Sequence, residues 1–144
     1  MNRRAVRPVQ FVLSMLAMAI TAPVWAHHSA VGYDFSKTLT AEATIKEFRW
    51  VSPHSAVVVV INGPDGQAED MTVTSATPAV FFKQGFTPRD FKVGDKVEIS
   101  WHPAKSGHLG GALASMKLPD GREFKDVEFG AAAALAAQQA DTVK

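Results

Sequence analysis

At 144 residues the chain has room for one domain of ordinary size. It contains no cysteine, which excludes disulfides, zinc–thiolate sites, cysteine lipidation and thiol catalysis. Fifteen basic against fourteen acidic residues give a net charge of +1, without the basic excess of a dedicated nucleic-acid binder.

Residues 2–8, Asn-Arg-Arg-Ala-Val-Arg-Pro, carry three arginines and no acid. Phe11 to Ile20 is an apolar run of ten residues. That is about half the roughly 20 a bilayer span requires. Val24 and Ala26 then stand at the −3 and −1 positions of a cleavage site. Basic, apolar and small-residue regions in this order form a secretory signal. Arg3-Arg4 lacks the aliphatic-aromatic residues that follow a twin-arginine pair, so general secretion is expected. The expectation is a signal peptide over 1–26, delivery to the periplasm, and no stable membrane anchor once it is cut. Cleavage after Ala26 leaves 118 residues with a charge of −2, because three arginines leave with the signal. All five histidines stay, and His27 becomes the first residue.

An extended segment over 27–37 leads into a β-rich body. Leu39, Ala41, Ala43 and Ile45 alternate with polar residues, the period of a half-buried strand. After Glu47 the phase flips to Phe48 and Trp50, which predicts a β-bulge. Ser52-Pro53 ends the strand, since proline cannot donate to the ladder. A second strand runs from Ala56 to Ile61, and its unbroken β-branched stretch Val57 to Ile61 suits a central position. Asn62-Gly63-Pro64-Asp65-Gly66 is a turn, and Ala68 to Thr74 a third strand. Thr77-Pro78 opens a helix to Gln84, stopped by Gly85. Thr87-Pro88 repeats the start for a single turn. A fourth strand carries Val97, Ile99 and Trp101. After the glycine-rich loop Lys105 to Gly111 come a fifth strand, Ala112 to Leu118, and a short sixth, Arg122 to Val127. Three strands, a short helix and two or three further strands match the element order of a small all-β OB-like barrel over 38–129. The remaining stretch, 130–144, is alanine-rich with one large apolar residue, Leu135. It reads as a flexible or frayed helical tail, since short isolated helices are marginal in water.

Without cysteine, histidine carries the chemistry on offer. His54 falls in the turn between strands one and two. His102 ends strand four, and His108 lies in the loop after it. These connections usually bracket the ligand face of an OB-type barrel, so the three can converge. His27 and His28 open the mature chain. A free α-amine loses its proton at roughly pH 7.7–8.0. Together with the imidazole of the same residue it chelates copper, zinc or nickel. His28 adds a third nitrogen, and His54 is the best candidate to close the site. The expected metal ligands are therefore His27, His28 and His54, and the expected ion is copper or zinc. The plain alternatives are an adventitious terminal His-His, a His54 that bonds only its own turn, and a His102 that only ends a strand.

No nucleophile elbow, phosphate loop or His-Glu-x-x-His pattern is present. Asp34, Glu42 and Glu47 are not spaced for acid–base work, so no catalytic residues are assigned. Trp50 and Trp101 sit at the apolar phase of their strands, which favours packing over base stacking and argues against a nucleic-acid partner.

Ala26-His27-His28-Ser29, Tyr33-Asp34, Phe48-Arg49-Trp50-Val51-Ser52-Pro53-His54, Ser75-Ala76-Thr77-Pro78, Gly85-Phe86 and Val93-Gly94-Asp95-Lys96-Val97 follow one another in this order. With Pro103-Ala104-Lys105 and Asp120-Gly121-Arg122, the set resembles a family of small bacterial periplasmic proteins of unknown function, over roughly 26–124. The resemblance implies export and a small β-rich domain, and no activity. It covers His27, His28 and His54, but not His102 or His108. Ser52 replaces the family's usual asparagine before Pro-His, Ala56 a common aromatic, and Lys83-Gln84 a more basic pair. Three functions compete. The first is a copper- or zinc-binding module. The second is a module for a non-metal small ligand or a periplasmic protein partner. The third, least favoured, is a copper-dependent oxidoreductase.

Overall fold

A computed structural model describes residues 32–63 and 65–141. The expected signal peptide and His27 and His28 lie outside the described residues.

Among the described residues six strands form one sheet: β1 (Leu39–Arg49), β2 (Ala56–Asn62), β3 (Ala68–Thr74), β4 (Lys96–Pro103), β5 (Gly110–Lys117) and β6 (Glu123–Lys125). Their order is β3-β2-β1-β4-β5-β6. A parallel pairing of β3 with β5, Thr72 to Thr74 against Gly110 to Ala112, closes the first five into a barrel. The protein is thus a predominantly β, OB-like barrel with one extra strand. The short helix α1 (Pro78–Lys83) falls between β3 and β4, as the Thr77-Pro78 signal predicts. Gly85 ends it with φ +82°, a conformation glycine adopts without steric cost. Thr87 and Asp90 then cap a single 3-10 turn, Pro88–Asp90, reciprocally.

The predicted bulge is present in β1. Its register against β2 shifts between Ile45 and Glu47, one residue earlier than the phase change suggests. Ala43 and Ile45 therefore point into the core, while Phe48 and Trp50 beyond the bulge also pack against it. A second shift, between Ser100 and Trp101, lies in the β4–β5 pairing. The extra residue is Ala114 of β5, and it puts Leu113 and Met116, three apart in sequence, on the same core face.

The core fills the barrel with Ile45, Val57, Val59, Met71, Val73, Ile99, Leu113 and Met116. Phe81 from α1 plugs one end and stacks on Phe124 at 3.8 Å. Closure depends on two close backbone approaches. A Cβ on Gly110 would lie 2.2 Å from the Thr72 carbonyl, and one on Gly111 would lie 1.9 Å from that of His102.

The chain's end differs from expectation. β6 stops at Lys125, and a helix, α2 (Val127–Asp141), starts before Gly130. Its first turn is anchored by Phe129, which is only 4% exposed. No helix among the described residues is long and apolar enough to cross a membrane.

Candidate functional site

The site is built where the incoming chain crosses the outside of the barrel. Tyr33 bridges to Ala104 just beyond β4. The Asp34 amide donates to the Pro103 carbonyl at 2.8 Å, and the Lys105 amide to the Gly32 carbonyl at 2.9 Å. A tight turn follows, in which Asp34 Oδ1 accepts the Ser36 amide at 3.1 Å and Asp34 Oδ2 pairs with Lys37. Hydrogen bonds from Ser36, then from Lys37, hold the Asp34 carboxyl below its ordinary pKa.

This turn carries Phe35 over His102, ring centroids 4.9 Å apart. Phe129 approaches from α2, 6.3 Å from Phe35 and 5.7 Å from Tyr33. On its other side Phe129 stacks on His54, 6.0 Å away at 27°. Phe129, Ala104 and Ala112 are buried yet lie outside the main core. A second, aromatic cluster therefore covers the outer face of the barrel, with His102 and His54 bracketing it.

Asp126 holds the cluster together. Its Oδ2 accepts the Ser75 hydroxyl at 2.9 Å and the Ala76 amide at 2.7 Å. Its Oδ1 accepts the Glu128 and Phe129 amides at 3.1 and 3.0 Å, which caps α2. Burial raises the Asp126 pKa above its ordinary value, against the pull of these four donors. One carboxylate thus ties the strand leaving β3 to the helix that carries Phe129.

The three body histidines differ sharply. His102 is 5% exposed, and its Nδ1 lies 2.8 Å from the Lys37 carbonyl. A carbonyl only accepts, so Nδ1 carries the proton and Nε2 of the neutral ring keeps the lone pair. His54 is half-buried in the β1–β2 turn, as expected, but its Nδ1 is buried with no hydrogen-bond partner among the described residues. His108 is exposed in the β4–β5 loop, with Nδ1 2.5 Å from the Ser106 hydroxyl. The convergence expected of all three does not occur: no three metal-ligating side chains gather among the described residues. His54 and His102 share the aromatic cluster, while His108 pairs with its own loop.

Sequence reasoning missed Phe35 and Phe129. Asp126-x-x-Phe129 before an apolar stretch was the available signal, an N-cap followed by an inward-facing residue in the first turn. Trp101 is buried and Trp50 lies 4.9 Å from Phe81, so both tryptophans pack rather than offer open stacking faces. Beside the cluster, a groove of about 630 Å³ separates the first turns of α2 from the outer face of β4 and β5. Thr38, Ser100, Ser115, Asp126 and Gly130 line it.

No curated protein and no solved structure matches the chain. The model of one family matches residues 15–114, more than half of the sequence. The chain belongs to that family, DUF6152, a family of unknown function.

Proposed function

We propose that this is an exported periplasmic protein whose processed N-terminus, His27 and His28, binds copper or zinc together with His54 on the barrel. The observation that carries this reading is the path of the N-terminal segment. Tyr33 and His54 contact the same Phe129 ring, at 5.7 and 6.0 Å. His28 precedes Tyr33 by five residues, a reach of about 17 Å when extended. The mature terminus therefore starts within reach of His54. The α-amine and imidazole of His27 supply two nitrogens, and His28 a third. Such a site exists only after the signal is removed.

Two measurements on untagged protein recovered from the periplasm test the reading. Mass spectrometry should find a chain starting at His27, and element analysis about one equivalent of copper or zinc. A chain that keeps residues 1–26, or one that is metal-free after growth with both metals, would contradict it.

The groove under α2 supports a second reading, a module for a small non-metal ligand or a periplasmic protein. Its mainly apolar lining, Ala114, Val127 and Ala131 with the hydroxyls of Thr38, Ser100 and Ser115, suits a small, largely apolar molecule with a polar group. On that reading, chelators and His27 substitutions leave binding unchanged.

A further inference from the structure

We infer that the groove under α2 is a binding site for a small uncharged molecule, a largely apolar ring or chain that carries one hydroxyl or carbonyl group. This rests on the second reading above and deepens it, by fixing the charge of the ligand and the polar group that meets the barrel.

The floor of the groove belongs to a row of polar side chains on the outside of the barrel. Thr40 of β1 stands opposite Ser100 of β4, Ser100 opposite Ser115 of β5, and Ser115 opposite Lys125 of β6. Residues in register on adjacent strands lie side by side on one face. Thr40 and Ser100 share a hydrogen bond of 2.8 Å. The Ser115 hydroxyl has no hydrogen-bond partner among the described residues. The bulge at Ala114 places the wall: its carbonyl accepts the Asp126 amide at 2.9 Å and so sets the start of α2 beside this row. From α2 the groove is lined by Val127, Gly130 and Ala131, whose side chains cannot bond a hydroxyl. Val127 is 58% exposed. An apolar helix wall thus faces a hydroxyl floor across about 630 Å³, within the size range of small-molecule sites.

The charges around the groove are already matched. Lys125 pairs with Glu123 at 3.4 Å. Each oxygen of Asp126 accepts two donors, one from Ser75 and Ala76, the other from Glu128 and Phe129. A charged ligand would give up its hydration here without meeting an unpaired opposite charge, which is costly. A neutral ligand avoids that cost. Its apolar body covers Ala114, Val127 and Ala131, and its hydroxyl or carbonyl meets Ser115, whose hydroxyl both donates and accepts. Thr38 offers a second hydroxyl, 3.5 Å from a His102 Nδ1 that the Lys37 carbonyl already engages at 2.8 Å. Gly130 keeps the space open, since a Cβ there would meet nothing within 4 Å.

Three probes of one shape test this: 2-naphthol, 2-naphthoate and 2-naphthylmethylammonium, each titrated into the mature chain at neutral pH while backbone amides are followed by NMR. 2-Naphthol should move the amides of Ser115, Val127 and Ala131, and each charged analogue should bind about tenfold or more weakly. Ser115→Ala should weaken 2-naphthol about three- to tenfold. Gly130→Leu puts a side chain into the groove and a better helix former into α2. It should weaken 2-naphthol about tenfold or more while the thermal midpoint holds or rises. A charged analogue that moves these amides as readily as 2-naphthol overturns the inference and leaves the groove a ligand site. 2-Naphthol that moves amides elsewhere, or binds Gly130→Leu as it binds wild type, overturns the inference and the groove as a small-molecule site together. No binding by any of the three does the same, and leaves a protein partner as the groove's occupant.

Discussion

Asp126 is the residue on which the outer cluster depends. Replacing it with alanine strips acceptors from the Ser75 hydroxyl and three backbone amides, and uncaps α2. A lost N-cap costs about 0.5–2 kcal/mol. A buried donor left unpaired costs about 1–3 kcal/mol. Asp126→Ala should therefore lower stability by about 2–4 kcal/mol in urea unfolding, and Asp126→Asn by less. Gly110 is the second sensitive position. Its φ of +125° and the Thr72 carbonyl leave no room for a side chain. Gly110→Ala should cost at least about 1–3 kcal/mol, read from the same unfolding curve.

Asp90 gives the acid response. Hydrogen bonds from Arg122, then from Thr87, lower its pKa from 3.8 to about 2. A depressed carboxylate stabilises the fold above its unfolded pKa and loses that contribution as pH falls through the folded value. Stability should thus fall between about pH 4 and pH 2, and the fall should be shallower in Asp90→Asn when urea midpoints are compared. Asp126 acts in the opposite sense. Its raised pKa means that its contribution is complete at low pH and declines as the pH rises through the folded value.

At the scale of elements, most of the barrel was legible because its signals are local. Alternation located β1 and β4, the β-branched run Val57 to Ile61 marked a central strand, and Thr77-Pro78 with Gly85 bounded α1. The bulge in β1 was visible as a phase change. The bulge at Ala114 in β5 went unread, although Leu113 and Met116 stand three apart rather than two, because the small residues Gly110 to Ala112 and Ala114 blur the alternation there. A helical tail was expected, but the start and anchoring of α2 were missed for a different reason. Its stretch from Gly130 onward is indeed poor in apolar residues, with Leu135 54% exposed. Its anchor is Phe129, separated from the alanine run by Gly130 and read as barrel. Phe129→Ala should cost about 3–5 kcal/mol and expose His54 and Phe35 together. Leu135→Ala should stay within about 0.5 kcal/mol, since it removes little buried surface. Thermal unfolding of the two variants makes the comparison.

At the scale of the whole molecule, the candidate site joins parts that the sequence keeps far apart. In the aromatic cluster β4 supplies His102, the β1–β2 turn supplies His54, and α2 supplies Phe129 between them. The sequence showed which histidines to consider. It could not show that Lys37 fixes one imidazole while Nδ1 of the other has no partner among the described residues, because that contrast arises from contacts across 65 residues in one case and from burial in the other. The aromatic cluster gives the fold a second buried centre outside the barrel, without any disulfide. Metal bound there would tie the N-terminal segment to this centre. A ligand at about 100 times its Kd adds about 2.7 kcal/mol to stability, so copper or zinc should raise the thermal midpoint and a chelator should reverse the rise.

The central claim is that signal cleavage creates a metal chelate at His27. Calorimetric titration of copper(II) into the mature chain, beside the same chain with one alanine added before His27, tests it most directly. The account predicts tight one-to-one binding to the chain that begins at His27 and a loss of about 100-fold or more in affinity for the extended chain. Equal and weak binding to both would contradict it.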